Sequence, residues 1–136
     1  MVADPALARR LARHDEVLFA FVFGSRAKGT ARPDSDLDVA VFLDPQLTSQ
    51  QRWDTRLKLH AELEDLGPVD VIILNDAPPL LAHRALLGAP IEIRDRTAYV
   101  RFFVQTMGLA EDDRYFQEVH RAARLRRLRE GRFGRP

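Results

Sequence analysis

The sequence predicts an α/β (α+β) domain, a mixed sheet of about four strands flanked by helices. Three observations carry this. Two apolar runs of strand length, 17–23 and 37–43, lack the spacing of an amphipathic helix. A third run, VDVIIL at 69–74, lies one helix-length further on. Between and after these runs the apolar residues recur at helical spacing, and strands alternating with helices imply a sheet with helices packed on it.

Each element has its own signal. Asp4 is suited to cap a helix over 5–14, with Pro5 at its first position and Leu7 and Leu11 one turn apart. The run VLFAFVF at 17–23 reads as a strand buried on both faces, and Gly24 ends it. Ser25 to Lys28 then reads as a helical turn. LDVAVFL at 37–43 is the second strand, closed by Asp44-Pro45. Trp53, Leu57, Leu59 and Leu63 mark an amphipathic helix over 46–65 that Gly67-Pro68 ends. The third strand, 69–74, stops at Asn75-Asp76 and the Pro78-Pro79 break. A short helix over 80–87 and a fourth strand over 91–93 follow. Residues 96–129 read as helix broken at Gly108.

Composition narrows the class. A chain of 136 residues suits one domain, with a core over about 15–95 and a helical segment and basic tail over 96–136. Zero cysteine removes thiolate metal sites, disulfides and thiol nucleophiles, and the four histidines form no HExxH pair. The longest apolar run falls far short of the roughly 20 residues of a membrane span, and the N-terminus lacks the apolar core of a secretory signal. A cytoplasmic protein without membrane contact is the expectation. The net charge of +1 hides a split: residues 114–136 hold eight arginines against Glu118 and Glu130, a net of +6, which leaves −5 for the rest. A body and a basic tail with different partners are implied.

The residues that carry chemistry cluster in two consecutive units. Asp36 and Asp38 are two apart at the start of the second strand, hence on one face and about 7 Å apart along it. Asp70 holds the same place in the third. A carboxylate within an apolar strand costs free energy unless it is paired or bound to a cation. If the strands are neighbours, three carboxylates converge, and oxygen-only ligands suit Mg²⁺ or Mn²⁺. Gly24-Ser25 lets backbone approach a ligand closely, a helix N-terminus offers N–H groups to anions, and Arg26 and Lys28 are candidate phosphate partners. One unit would hold a polyphosphate and the other its metals. The alternative motifs fail: Gly24-SRAK-Gly29 has P-loop glycine spacing, but Thr30 stands where the lysine belongs, and no GxGxxG is present.

GSRAKGTARPDSDLDVAVFL, with PVDVIIL downstream, resembles the nucleotidyltransferase superfamily that includes DNA polymerase β, and within it the minimal nucleotidyltransferase (MNT) proteins, antitoxins of HEPN/MNT toxin–antitoxin pairs. The resemblance covers roughly residues 15–95. It implies a polymerase β-like fold in which Gly24 and Ser25 hold the triphosphate of ATP, Asp36 and Asp38 ligate two Mg²⁺ ions, and Asp70 is a third carboxylate near the attacking hydroxyl. It also implies transfer of AMP to a hydroxyl, a tyrosine, on a partner HEPN ribonuclease that the modification silences, with the two proteins forming an oligomer. Two alternatives stay open: a non-catalytic module that neutralises a toxin by covering it, and a nucleotidyltransferase acting on a small molecule such as an aminoglycoside.

The C-terminal segment admits several readings. Tyr115, Phe116, Val119, Ala122 and Ala123 share one helical face, while Leu125 and Leu128 drift off it. That stripe either packs on the domain's own sheet or docks a partner. The arginines beyond it would suit an acidic toxin surface or RNA, or simply a solvated helix end. Few aromatics lie among them, which disfavours nucleic acid.

Overall fold

The computed structural model describes residues 5–24 and 37–129. The elements run α1 (Pro5–Leu11), β1 (Val17–Phe23), β2 (Leu37–Leu43), α2 (Ser49–Leu63), β3 (Val69–Ile73), α3 (Pro79–Leu86), β4 (Ala89–Ile93) and α4 (Arg96–Arg129). The strands form one sheet in the order β3-β2-β1-β4. β1 is antiparallel to both β2 and β4, whereas β2 and β3 run parallel with α2 as their crossover. The expected mixed four-stranded sheet is present. Asp4 lies outside the described residues.

Both faces of the sheet are covered, which is why β1 reads as an unbroken apolar run and β2 as one interrupted only by Asp38. On one face Val39, Val41, Val71 and Ile91 pack with Leu7 and Leu11 of α1 and Leu59 and Leu63 of α2. On the other Phe19, Phe21, Phe23 and Ala40 meet Ala82, Ala85 and Leu86 of α3 and the first half of α4. Aromatic contacts seat α4: Phe19 stacks on Phe42 with centroids 4.8 Å apart, Tyr99 on Phe21 at 5.6 Å, and Phe102 lies 4.8 Å from Phe42. From β1 at Tyr99, α4 reaches the segment after β3, where Gln105, Thr106 and Leu109 line a cleft with Leu74, Asn75 and Ala77.

Polar side chains fix the parallel pair. Beyond β3 the chain turns into a short 3₁₀ segment, Leu74–Asp76, yet the Asn75 carboxamide continues the ladder. Its Oδ1 accepts from the Leu43 N–H at 2.9 Å and its Nδ2 donates to the Leu43 carbonyl at 2.9 Å. Arg52 of α2 grips the same turn through two 2.9 Å bonds to the Asp76 carboxylate, which raises the guanidinium pKa further. Arg56 donates from Nε to the Val71 carbonyl at 2.8 Å while its guanidinium lies over Trp53. The Thr48 hydroxyl and Gln51 side chain make a reciprocal cap at the start of α2.

Three expectations need correction. Trp53 and Leu57 do not share the buried stripe of α2: they are 51% and 50% exposed, and Leu59 and Leu63 carry the packing. α2 begins at Ser49, because Thr48 is the residue that caps it. Gly108 does not break the last helix, which is continuous over 34 residues. A helical glycine costs only about 1 kcal/mol relative to alanine, which the Tyr99, Phe102 and Phe103 anchors outweigh.

Replacing Asn75 by Ala leaves both backbone groups of buried Leu43 without that partner. It should destabilise the fold by about 1–3 kcal/mol, read from urea denaturation midpoints. Arg10 of α1 pairs with Asp65 after α2, Nη2 to Oδ2 at 2.7 Å, and this hydrogen bond lowers the Asp65 pKa. A depressed carboxylate pKa gives stability that is present above the unfolded value, about 3.9, and lost as pH falls through the folded one. The stability gap between wild type and Asp65→Asn should therefore be present at pH 7 and close below about pH 4.

Candidate active site

β2 and β3 deliver their aspartates to one place. In the parallel pair the register sets Asp38 beside Asp70, then Val39 beside Val71 and Ala40 beside Ile72. Paired residues on neighbouring strands about 4.8 Å apart point to the same face, here the face of Ala40 and Phe42. Both aspartates lie at the starting ends of their strands. Asp38 is half-buried and Asp70 exposed, and the register puts both at the same end of the sheet. Oxygen-only donors on paired strands suit a hard divalent cation, which would offset the repulsion between two carboxylates.

Gly24 belongs to the same place. It follows β1 directly, and the last residue of β1, Phe23, is the antiparallel partner of Asp38. Its φ is +80°, a conformation that side chains strain to adopt. A Cβ there would lie 2.5 Å from Asp38 Oδ2. The bare glycine thus lets the carboxylate lie against the backbone where β1 turns away, and strand end and acid occupy one volume.

Of the residues singled out in the sequence, Gly24, Asp38 and Asp70 are brought together. Ser25, Arg26, Lys28 and Asp36 lie outside the described residues, and among the described ones no third carboxylate, histidine or cysteine joins the pair. One supporting residue escaped the sequence reading. Gly88, between α3 and β4, packs so tightly that a Cβ would collide with the Val22 carbonyl oxygen and lie 2.8 Å from Phe23 Cβ. It lets β4 and α3 close on the end of β1 next to the site. The only signal was a glycine immediately before a strand, which many turns share.

The model of the family described as polymerase beta, nucleotidyltransferase, matches residues 6–97, more than half of the chain. The chain belongs to the polymerase β nucleotidyltransferase family. A relative from Shewanella oneidensis, protein adenylyltransferase MntA, is 32% identical over 66 residues, 48% of this chain and 46% of that protein. The matched stretch thus spans less than half the length of that relative. Among solved structures, a toxin–antitoxin complex with AMP-PNP superposes with a TM-score of 0.68 at 21% identity, covering 88% of this chain and 97% of the other. The MNT antitoxin in complex with tri-AMPylated S. oneidensis HEPN toxin matches with a TM-score of 0.63 at 17% identity, over 87% and 95% of the two chains. At these identities the superpositions establish a shared fold.

The contact between Gly24 and Asp38 gives a measurable coupling. Gly24→Ala should destabilise through its backbone, by about 1–2 kcal/mol, and additionally through the collision with the carboxylate. Asp38→Ala in the same chain should relieve the second part only. A double-mutant cycle on thermal unfolding should then show a coupling of about 0.5–3 kcal/mol.

Proposed function

We propose that the chain transfers AMP from ATP to a hydroxyl on a partner protein, a HEPN-type ribonuclease toxin, and so acts as its antitoxin. The observation that carries this is the register that sets Asp38 beside Asp70 at the open end of the sheet, with Gly24 against Asp38. Family membership supplies the reaction class, and the Shewanella relative is named a protein adenylyltransferase. A related antitoxin fold is found with a tri-AMPylated HEPN toxin, which supports a protein as the acceptor.

In this reading Asp36 and Asp38, with Asp70 alongside, would hold two Mg²⁺ ions, for which Mn²⁺ could substitute. When bound, such ions neutralise the triphosphate and the charge that grows on the leaving pyrophosphate. The chain's own groups do the rest. Backbone N–H groups at Gly24 and Ser25 bind phosphate oxygens, with the Arg26 and Lys28 side chains beside them. The acceptor hydroxyl, on a tyrosine, meets the side of the site marked by Asp70, which takes its proton. The hydroxyl oxygen forms a bond to the α-phosphorus as the bond to the bridging oxygen of the β-phosphate breaks, and pyrophosphate leaves. Among the described residues no helix is long and apolar enough to cross a membrane, in keeping with a cytoplasmic pair of proteins.

The test is label transfer with Mg²⁺ and ATP labelled on either the α- or the γ-phosphate, using lysate of the native host as the acceptor pool. Label from the α position should appear on a discrete protein band, and Asp38→Ala or Asp36→Ala should lower transfer more than about a hundredfold, beyond what loss of an outer-shell partner costs. Label on no protein, with Mg²⁺-dependent ATP binding intact, would make the chain a covering module. Label on an aminoglycoside would make it a drug-modifying enzyme.

A further inference from the structure

β3 has a neighbour on one side only. Leu37, the register partner of Val69, donates its N–H to the Pro68 carbonyl, so residues 68, 70 and 72 turn their backbone groups toward β2. Val69, Val71 and Ile73 therefore turn theirs to the open edge. The 2.8 Å bond from Arg56 Nε to the Val71 carbonyl runs in that direction. Along this edge, between α2 and the start of α3, lies a cleft of about 330 Å³ whose walls are Trp53, Val71, Ile73, Pro78 and Leu81, with Arg56 among them. Clefts of about 300–1,000 Å³ that are mostly apolar, with a few placed polar groups, are the usual form of small-molecule sites.

Charge in that cleft does not balance. Arg52 and Asp76 hold each other through two 2.9 Å bonds and cancel. Arg56 is half-buried and gives the protein only its Nε. Among the described residues neither of its Nη atoms is hydrogen-bonded and no carboxylate pairs with it. Its guanidinium lies 5.3 Å from the centre of the Trp53 ring instead. The two Nη groups of a guanidinium match a carboxylate through parallel hydrogen bonds. The Val71 and Ile73 N–H groups face the same cleft, and no described side chain accepts from either.

We propose that this cleft binds a small carboxylic acid with an apolar body, its carboxylate on Arg56 Nη1 and Nη2 and its body between Trp53 of α2 and Leu81 of α3. The single unbalanced positive charge selects a monoanion. A phosphate monoester would bring a second charge among apolar walls, where it would find no partner. An added strand from another protein is excluded as the occupant, because Arg56 already holds the Val71 carbonyl that such a strand would need. Asp38 and Asp70 are not among the walls, so the site stands apart from the transfer reaction.

Trp53 is the only tryptophan of the chain, so its fluorescence reports on this site. The experiment titrates the full chain with cyclohexylacetate, which does not fluoresce, and follows both Trp53 emission and the heat of binding by calorimetry. Both should saturate with one dissociation constant below about 10 mM. Cyclohexylacetamide, which lacks the charge, and acetate, which lacks the body, should each bind at least about tenfold more weakly, the scale of a lost charge-assisted hydrogen-bond pair or apolar contact. Arg56→Gln and Leu81→Ser should each weaken cyclohexylacetate by a similar factor, with circular dichroism melts to check the fold of both. The comparison of acid with amide uses the wild type alone and decides the matter even where a variant does not fold. Equal affinity for acid and amide overturns the proposal, as does the absence of saturation. Heat of binding without a change at Trp53 also overturns it, because the acid then sits elsewhere. A peptide ending in leucine that binds at least about tenfold tighter than the free acid overturns it as well, since the occupant is then a protein terminus.

Discussion

The constraint on which the rest of the structure depends is the register of two parallel strands. Asp38 and Asp70 stand side by side on one face of the sheet only because Leu37 pairs with Val69 and every later residue follows in step. A slip of one residue would turn one carboxylate to the α2 face, among Val39, Val71 and Leu59. Much of the polar bonding in the fold opposes such a slip. Asn75 bonds to the backbone of Leu43 at one end of the pair, and the Leu37 N–H donates to the Pro68 carbonyl at the other, at 2.7 Å. Arg52 and Arg56 tie α2, the crossover itself, to the turn after β3 and to β3.

Much of this was legible in the chain because its causes are local. Strands buried on both faces are apolar along most of their length, so 17–23 and 37–43 announced themselves, and their observed bounds are the expected ones. The aspartates stood out because a carboxylate in such a strand needs a reason. The expected phosphate-binding residues Ser25, Arg26 and Lys28, and Asp36, lie outside the described residues and rest on the sequence alone. What could not be read depends on partners remote in sequence. Trp53 and Leu57 fit the helical period of α2 as well as Leu59 does, and only the position of the sheet decides which side is buried. The contact between Gly24 and the Asp38 carboxylate joins residues fourteen apart through the β1–β2 pairing, so the glycine first suggested only a phosphate approach.

The last helix shows the same division between local and remote causes. Its aromatic anchors Tyr99 and Phe102 bind it to Phe19, Phe21 and Phe42, with Phe103 against Tyr99, which keeps it helical across Gly108 despite the local cost. Charge in the chain is segregated accordingly. The acidic surplus belongs to the residues before 114, which include the site, and the arginine surplus to the end of α4 and the residues after it.

β3 is an edge strand, and exposed edges are templates on which other chains can add strands and aggregate. The Val71 carbonyl, at the middle of that strand, is already taken by Arg56, whose guanidinium is itself stacked on Trp53. A foreign strand would have to displace a charged, planar side chain and lose its cation–π contact before pairing there. The exposed Trp53 ring thus has a defined partner, the guanidinium that occupies the middle of the edge strand.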